Sequence, residues 1–191
     1  MTDLTLLSQH LDTANRVCRA IIETPKGCRY KFRYDTDARL FMLDGLLPEG
    51  MMFPFDFGFI PSTLGEDGDP LDIMVVLDAP VHVGCLIEVR IVGIILATQT
   101  EQHTIRRNDR LIGVAVHSYA HAQLKSVMDL SSNFLDQVEE FFVSYNKQRK
   151  KKFKIKGLGG PKSAMKFLKT GIQSFRKAQK EDEKELLPRK R

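Results

Sequence analysis

The chain has 191 residues, 42% of them hydrophobic and 28% charged, with a formal net charge of +5 and a pI near 9.1. That balance is globular, and the length favours one domain or one domain with extensions. The apolar runs are too short to cross a bilayer, and MTDLTLLSQH lacks the basic and apolar regions of a secretory signal. The odd, sparse set Cys18, Cys28 and Cys85 excludes a disulfide framework and suits free thiols, so a cytoplasmic location without membrane attachment is expected.

Residues 1–16 are read as an amphipathic N-terminal extension, a helix that packs on the body or on another subunit. From residue 17 to about 116 the pattern is β-rich. VCRAIIE reads as a strand, PKG as a turn, and CRYKFRYD alternates apolar and charged residues at period two. ARLFML is another short strand. LPEGMMFPFDFGFIPSTLGEDGDP is long, Pro/Gly-rich and aromatic, as functional loops often are. DIMVVL, LIEVRIVGIILA and RLIGVAV then read as buried strands, which argues for a small barrel or a strongly twisted sheet.

Helical spacing follows. Phe134, Leu135, Val138, Phe141, Phe142 and Tyr145 share one face of a helix that Ser131 or Ser132 can cap. Met165, Leu168, Ile172 and Phe175 mark a second helix. Between them, seven of the eleven residues from Lys147 to Gly157 are Lys or Arg. This segment is read either as a solvated connector or as a surface for an anionic partner. The tail, residues 179–191, is dense in charge and expected to fray, which leaves 17–178 as the domain. Strands followed by helices make an α+β fold.

The stretch GEDGDPLD places four acids within eight residues, just before IMVVL. One reading is a Gly-Asp turn between strands. Turn chemistry alone does not require Asp67, Asp69 and Asp72 together, because carboxylates this close repel one another. A hard divalent cation offsets that repulsion, and Mg²⁺ commonly takes one or two carboxylates plus phosphate oxygens and water. An EF-hand is disfavoured, since Asp72 stands where such a loop needs glycine. Zinc is disfavoured because no Cys or His clusters here.

EDGDPLDIMVV, together with IETP, Lys31, FPFDFGFIPSTL, LIEVRIVGII, NDRLIGVAV and EEFFVSYN in that order, resembles the soluble family I inorganic pyrophosphatases. The likeness spans about residues 17–178. It implies a five-stranded OB-like β-barrel with flanking C-terminal helices, and Mg²⁺-dependent hydrolysis of pyrophosphate to two phosphates by a metal-activated water. It also implies Asp67 and Asp72 as metal ligands and Asp69 as the group that orients or deprotonates the water. Glu23 is placed near the metal and substrate. Lys31, Arg110 and Tyr145 are placed on phosphate, with Lys154 as a further contact. A homo-oligomer is implied without its number.

The sequence departs from the family pattern at several points. Arg33 replaces a glutamate, Gly45 a phosphate-binding arginine, Phe53 and Phe57 two tyrosines, and Asn146 a lysine. Two further metal-binding aspartates are expected before RLIGV, where this chain reads TQTEQHTIRRNDRL. Asn108 aligns with the second, and Glu101 or Asp109 is expected to substitute; Arg106 and Arg107 can replace lost cationic contacts. The leading expectation is therefore an inorganic diphosphatase with a reshaped phosphate site. Two alternatives stand beside it: a hydrolase of another phosphoanhydride or organic phosphate, and a non-catalytic phosphate- or nucleic-acid-binding barrel. The acidic cluster argues against nucleic acid, whose backbone it would repel.

Overall fold

The computed structural model describes residues 2–186. Nine strands and two helices follow one another: β1 (Val17–Thr24), β2 (Tyr30–Asp35), β3 (Leu40–Leu46), β4 (Asp56–Ile60), β5 (Leu71–Val76), β6 (Leu86–Glu101), β7 (Thr104–Arg107), β8 (Arg110–Ala115), α1 (Ser132–Gln148), β9 (Lys152–Gly159) and α2 (Pro161–Leu186). Strands β1, β4, β5, β8 and β6 pair in that order, and β6 returns to β1, which closes a ring of five. Only the β5–β8 pair in that ring is parallel. This is the expected α+β barrel, and closure removes the exposed sheet edges that would otherwise invite aggregation.

The apolar runs read from the sequence are buried on both faces. Ile73 and Val75 of β5 join a cluster with Leu111 and Ala115 of β8 and with Ala164, Leu168 and Ile172 of α2. Met74 and Val76, one residue out of phase, join Ile112 and Val114 of β8 and Val138, Phe141 and Phe142 of α1. A strand with period-two side chains and a core on each side needs no polar face, which is why IMVVL is continuous. Ser131 caps α1 by accepting the Phe134 N–H at 3.2 Å.

Three strands lie where the sequence pattern shows none. Strand β4 runs through the Pro/Gly-rich aromatic stretch, and β7 is a short exposed strand that folds back on β6. Strand β9 lies in the basic segment and pairs with the distal half of β6. There Phe153 is buried and Ile155 half-buried, while Lys152, Lys154 and Lys156 alternate outward. The connector reading of that segment is corrected accordingly.

The hairpin β2–β3 forms a separate two-stranded sheet. It is tied to β1 where the Phe32 N–H donates to Thr24 Oγ1 and the Tyr34 N–H to Glu23 Oε1. Within residues 2–16 the helical content is one 3₁₀ turn, Leu4–Leu6, so the expected helix shrinks to a single turn. Leu4 and Leu7 pack on Ile21, Tyr34 and Phe59, so this segment covers the body of its own chain. Helix α2 continues without a break across the expected boundary at 178, and residues 187–191 of the expected tail lie outside the described residues. Among the described residues no helix is long and apolar enough to cross a membrane.

Candidate functional site

The turn between β4 and β5 presents the acidic cluster. Gly65 N–H donates to the Asp69 carbonyl at 2.8 Å, and Gly68 sits at φ +94, a conformation that favours glycine. Asp67 Oδ1 accepts the Asp69 N–H at 3.2 Å, so part of this side chain's work is to shape the turn. Asp72 follows on β5, and Glu23 comes from β1, beside the irregularity between Ile22 and Thr24. These four acids line one cleft of about 380 Å³.

Burial pushes the Glu23 carboxyl up to about 7, and Asp72 and Asp69 add to the effect against the Tyr34 N–H and Lys31. Asp69 is raised by desolvation first and then by Asp67 and Asp72, although its side chain is open to solvent along the cleft mouth. Among the described residues, no three His, Cys, Asp or Glu side chains are drawn close enough to hold a metal ion unaided. The donor set nevertheless fits a hydrated hard cation. Its oxygens are uncompensated by one another, and such an ion takes one or two carboxylates and completes its shell with water and phosphate.

Cationic and aromatic side chains line the same cleft. Arg110 opens β8 and is largely buried, with its guanidinium 4.4 Å from the Phe142 ring centroid and 5.4 Å from that of Phe153. It donates to Asn108 Oδ1 at 2.6 Å and pairs with Asp72 at 3.4 Å. Asn108 in turn donates to Gln99 Oε1 at 2.8 Å, which fixes its amide and through it the arginine. Lys31 from β2 and Tyr145 from α1 complete this lining. The Tyr145 hydroxyl is buried without a hydrogen-bond partner, while its ring stacks on Phe141. Phe53 and Phe57 pack into the same aromatic cluster.

The expected residues Glu23, Lys31, Asp67, Asp69, Asp72, Glu101, Arg110 and Tyr145 are thus brought together. Glu101 pairs with Lys151 at 2.9 Å, so its charge is already offset. Asp109 lies beside this cleft, in an adjoining pocket that it lines with Asp67 and Asp72. Its side chain is 2% exposed, accepts the Ala97 N–H and pairs with Arg107. Lys154 faces outward from β9 and is not part of the cleft lining. Arg106, Arg107 and Asn108 do line it. Two contributors were not foreseen: Arg149 and Lys151, both supplied by the basic segment.

Comparisons with known proteins agree with this geometry. The family described as inorganic pyrophosphatase matches residues 20–176. An inorganic pyrophosphatase of Synechocystis is 37% identical over 137 residues, covering 72% of this chain and 79% of the relative. One from Thermus thermophilus is 32% identical over 168 residues, 86% of this chain and 94% of the relative. The crystal structure of a Thermus thermophilus inorganic pyrophosphatase superposes with a TM-score of 0.83 at 30% identity, covering 92% of this chain and 99% of that one. A barrel of the same architecture, a cleft lined by acids and fixed cations, and relatives matched over most of their length lead to one assignment: the chain belongs to the inorganic pyrophosphatase family, enzymes that hydrolyse inorganic pyrophosphate.

Proposed function

We propose that the cleft hydrolyses pyrophosphate with Mg²⁺ held by Asp67 and Asp72, and that Asp69 is the group that takes the proton from the attacking water. The observation that carries this reading is that one cleft is lined by both carboxylates and cations. Pyrophosphate needs both: cations for its non-bridging oxygens and a base for the nucleophile. Bound Mg²⁺ supplies neutralisation of phosphate charge and a more acidic water.

The chain's own residues do the rest. Asp69 lines the same cleft between the proposed metal ligands Asp67 and Asp72, which places its carboxylate to take the proton of the attacking water. Lys31 and Arg110 hold phosphate oxygens. Arg110 is preorganised for this by Asn108 and the Phe142 ring, so little reorganisation is needed when charge develops. The unpartnered Tyr145 hydroxyl is available to donate to the same group. Glu23, with its proton held up to about 7, donates or accepts at the junction of the acids and Lys31. Asp109 is assigned to structure, because both its oxygens are already engaged. The enzyme is further proposed to act as a homo-oligomer in the cytoplasm.

Phosphate release from pyrophosphate tests the reading. Purified protein should turn over with Mg²⁺ and stop when the metal is chelated. Binding of pyrophosphate without any release of phosphate under these conditions would leave only a binding module.

A further inference from the structure

We infer that Arg149 is a phosphate-binding residue of this cleft, and that the lack of a side chain at Gly45 leaves room for its guanidinium. This inference rests on the cleft being a phosphate site. Arg149 caps the C-terminus of α1, and its own N–H donates to the Asn146 and Lys147 carbonyls. Its guanidinium lies 5.0 Å from the Tyr145 ring centroid and donates to Asp44 Oδ2 at 3.2 Å. A Cβ on Gly45 would come within 3.0 Å of Arg149 Nη2.

The local charge count points to an anion. Asp44 receives Lys31 at 2.9 Å, Arg149 at 3.2 Å and Arg33 at 3.9 Å. Three cations share this one carboxylate; Lys31 also acts on Glu23 and Asp69, and Arg33 on Asp69, which leaves Arg149 the least compensated of the three among the described residues. Asp44 is not among the residues lining the cleft, whereas Lys31 and Arg149 are. The carboxylate therefore anchors the two cations from behind while their remaining donors face the opening. Beside them the Tyr145 hydroxyl is buried without an acceptor. A phosphoryl group suits this corner: it gives Arg149 an anionic partner not shared with Asp44's other cations, accepts from the guanidinium and gives the Tyr145 hydroxyl its partner.

The test uses the full chain, with inorganic phosphate binding read by calorimetry and pyrophosphate hydrolysis read in parallel. Loss of one charge-assisted contact predicts that Arg149→Ala weakens phosphate binding by about tenfold to a hundredfold. Arg149→Lys should recover part of that loss, since it keeps the charge but not the fork. Gly45→Val, which leaves Arg149 in the chain but fills its space, should also weaken binding. Lys150→Ala, next in sequence and absent from the cleft lining, should bind phosphate like wild type. Phosphate affinity within twofold of wild type in Arg149→Ala overturns the inference, and if wild type still hydrolyses pyrophosphate the functional reading survives. Should Arg149→Ala fail to fold, unchanged affinity in both Arg149→Lys and Gly45→Val overturns it equally. Weakened phosphate binding in Arg149→Ala, beside a wild type that does not hydrolyse pyrophosphate, supports Arg149 and removes the hydrolase instead.

Discussion

Arg110 Nη2 lies 3.4 Å from Asp72 Oδ2, and this ion pair joins a cation of the cleft to one of its acids. The two residues begin neighbouring parallel strands, β8 and β5, so the barrel's one parallel ring contact sets their separation. Because the guanidinium is also held by Asn108 and two aromatic rings, Arg110 is a fixed charge and not a mobile one.

Arg110→Ala should lower kcat/KM by about 10²- to 10³-fold, the range seen when one preorganised transition-state donor is removed. Arg110→Lys should fall between that variant and wild type, because a lysine keeps the charge but loses the fork and the ring stacking. Steady-state kinetics on pyrophosphate decide it, and full activity in Arg110→Lys would show that geometry at this position is unimportant.

Glu23 gives the metal-free protein a pH-dependent stability. Its carboxyl moves from an ordinary 4.5 to about 7 on folding, mainly through burial, so the folded state binds the proton more tightly than the unfolded one. The stabilisation is full below pH 4.5 and is lost as pH rises to about 7, an effect of up to about 3 kcal/mol. Chelator-treated wild type and Glu23→Gln should therefore differ in urea-unfolding free energy by an amount that shifts against wild type across that window. Parallel stability curves would contradict this placement of Glu23.

Asp109→Ala should cost about 1–3 kcal/mol of stability, since it leaves the buried Ala97 N–H without its acceptor and removes the Arg107 ion pair. Magnesium affinity at permissive temperature should stay within twofold. Loss of metal binding with unchanged stability would return Asp109 to the metal shell.

Cys18 is fully buried and its thiol is pushed up to about 12. Alkylation of native protein at pH 8 should modify Cys28 and Cys85, which are partly exposed, and spare Cys18. Equal labelling of all three thiols would mean that the β1 side of the core opens readily.

The sequence made the barrel's centre and the acidic turn legible for the same reason: both are contiguous. IMVVL declares a doubly buried strand, and Asp67, Asp69 and Asp72 lie within six residues. Strand β4 was hidden because glycine and aromatic neighbours read as loop, and β9 because its lysines outshout the alternation of Phe153 and Ile155. The cationic lining was harder to see. Arg149 meets Asp44 across 105 residues of chain, and no local pattern marks that pairing. The partners of Asp109 were equally hidden, because only the fold brings the Ala97 N–H, twelve residues away, onto its carboxylate beside Arg107.

The most direct measurement is steady-state hydrolysis of pyrophosphate by Asp69→Asn at saturating Mg²⁺. The side chain is exposed at the cleft mouth, and the substitution keeps its shape, so folding should be unaffected. The account predicts a fall in kcat of about 10²- to 10⁴-fold with KM changed only a few-fold, as expected when a base is removed and binding is left alone. A kcat within twofold of wild type would contradict it and move the proton-accepting role away from Asp69.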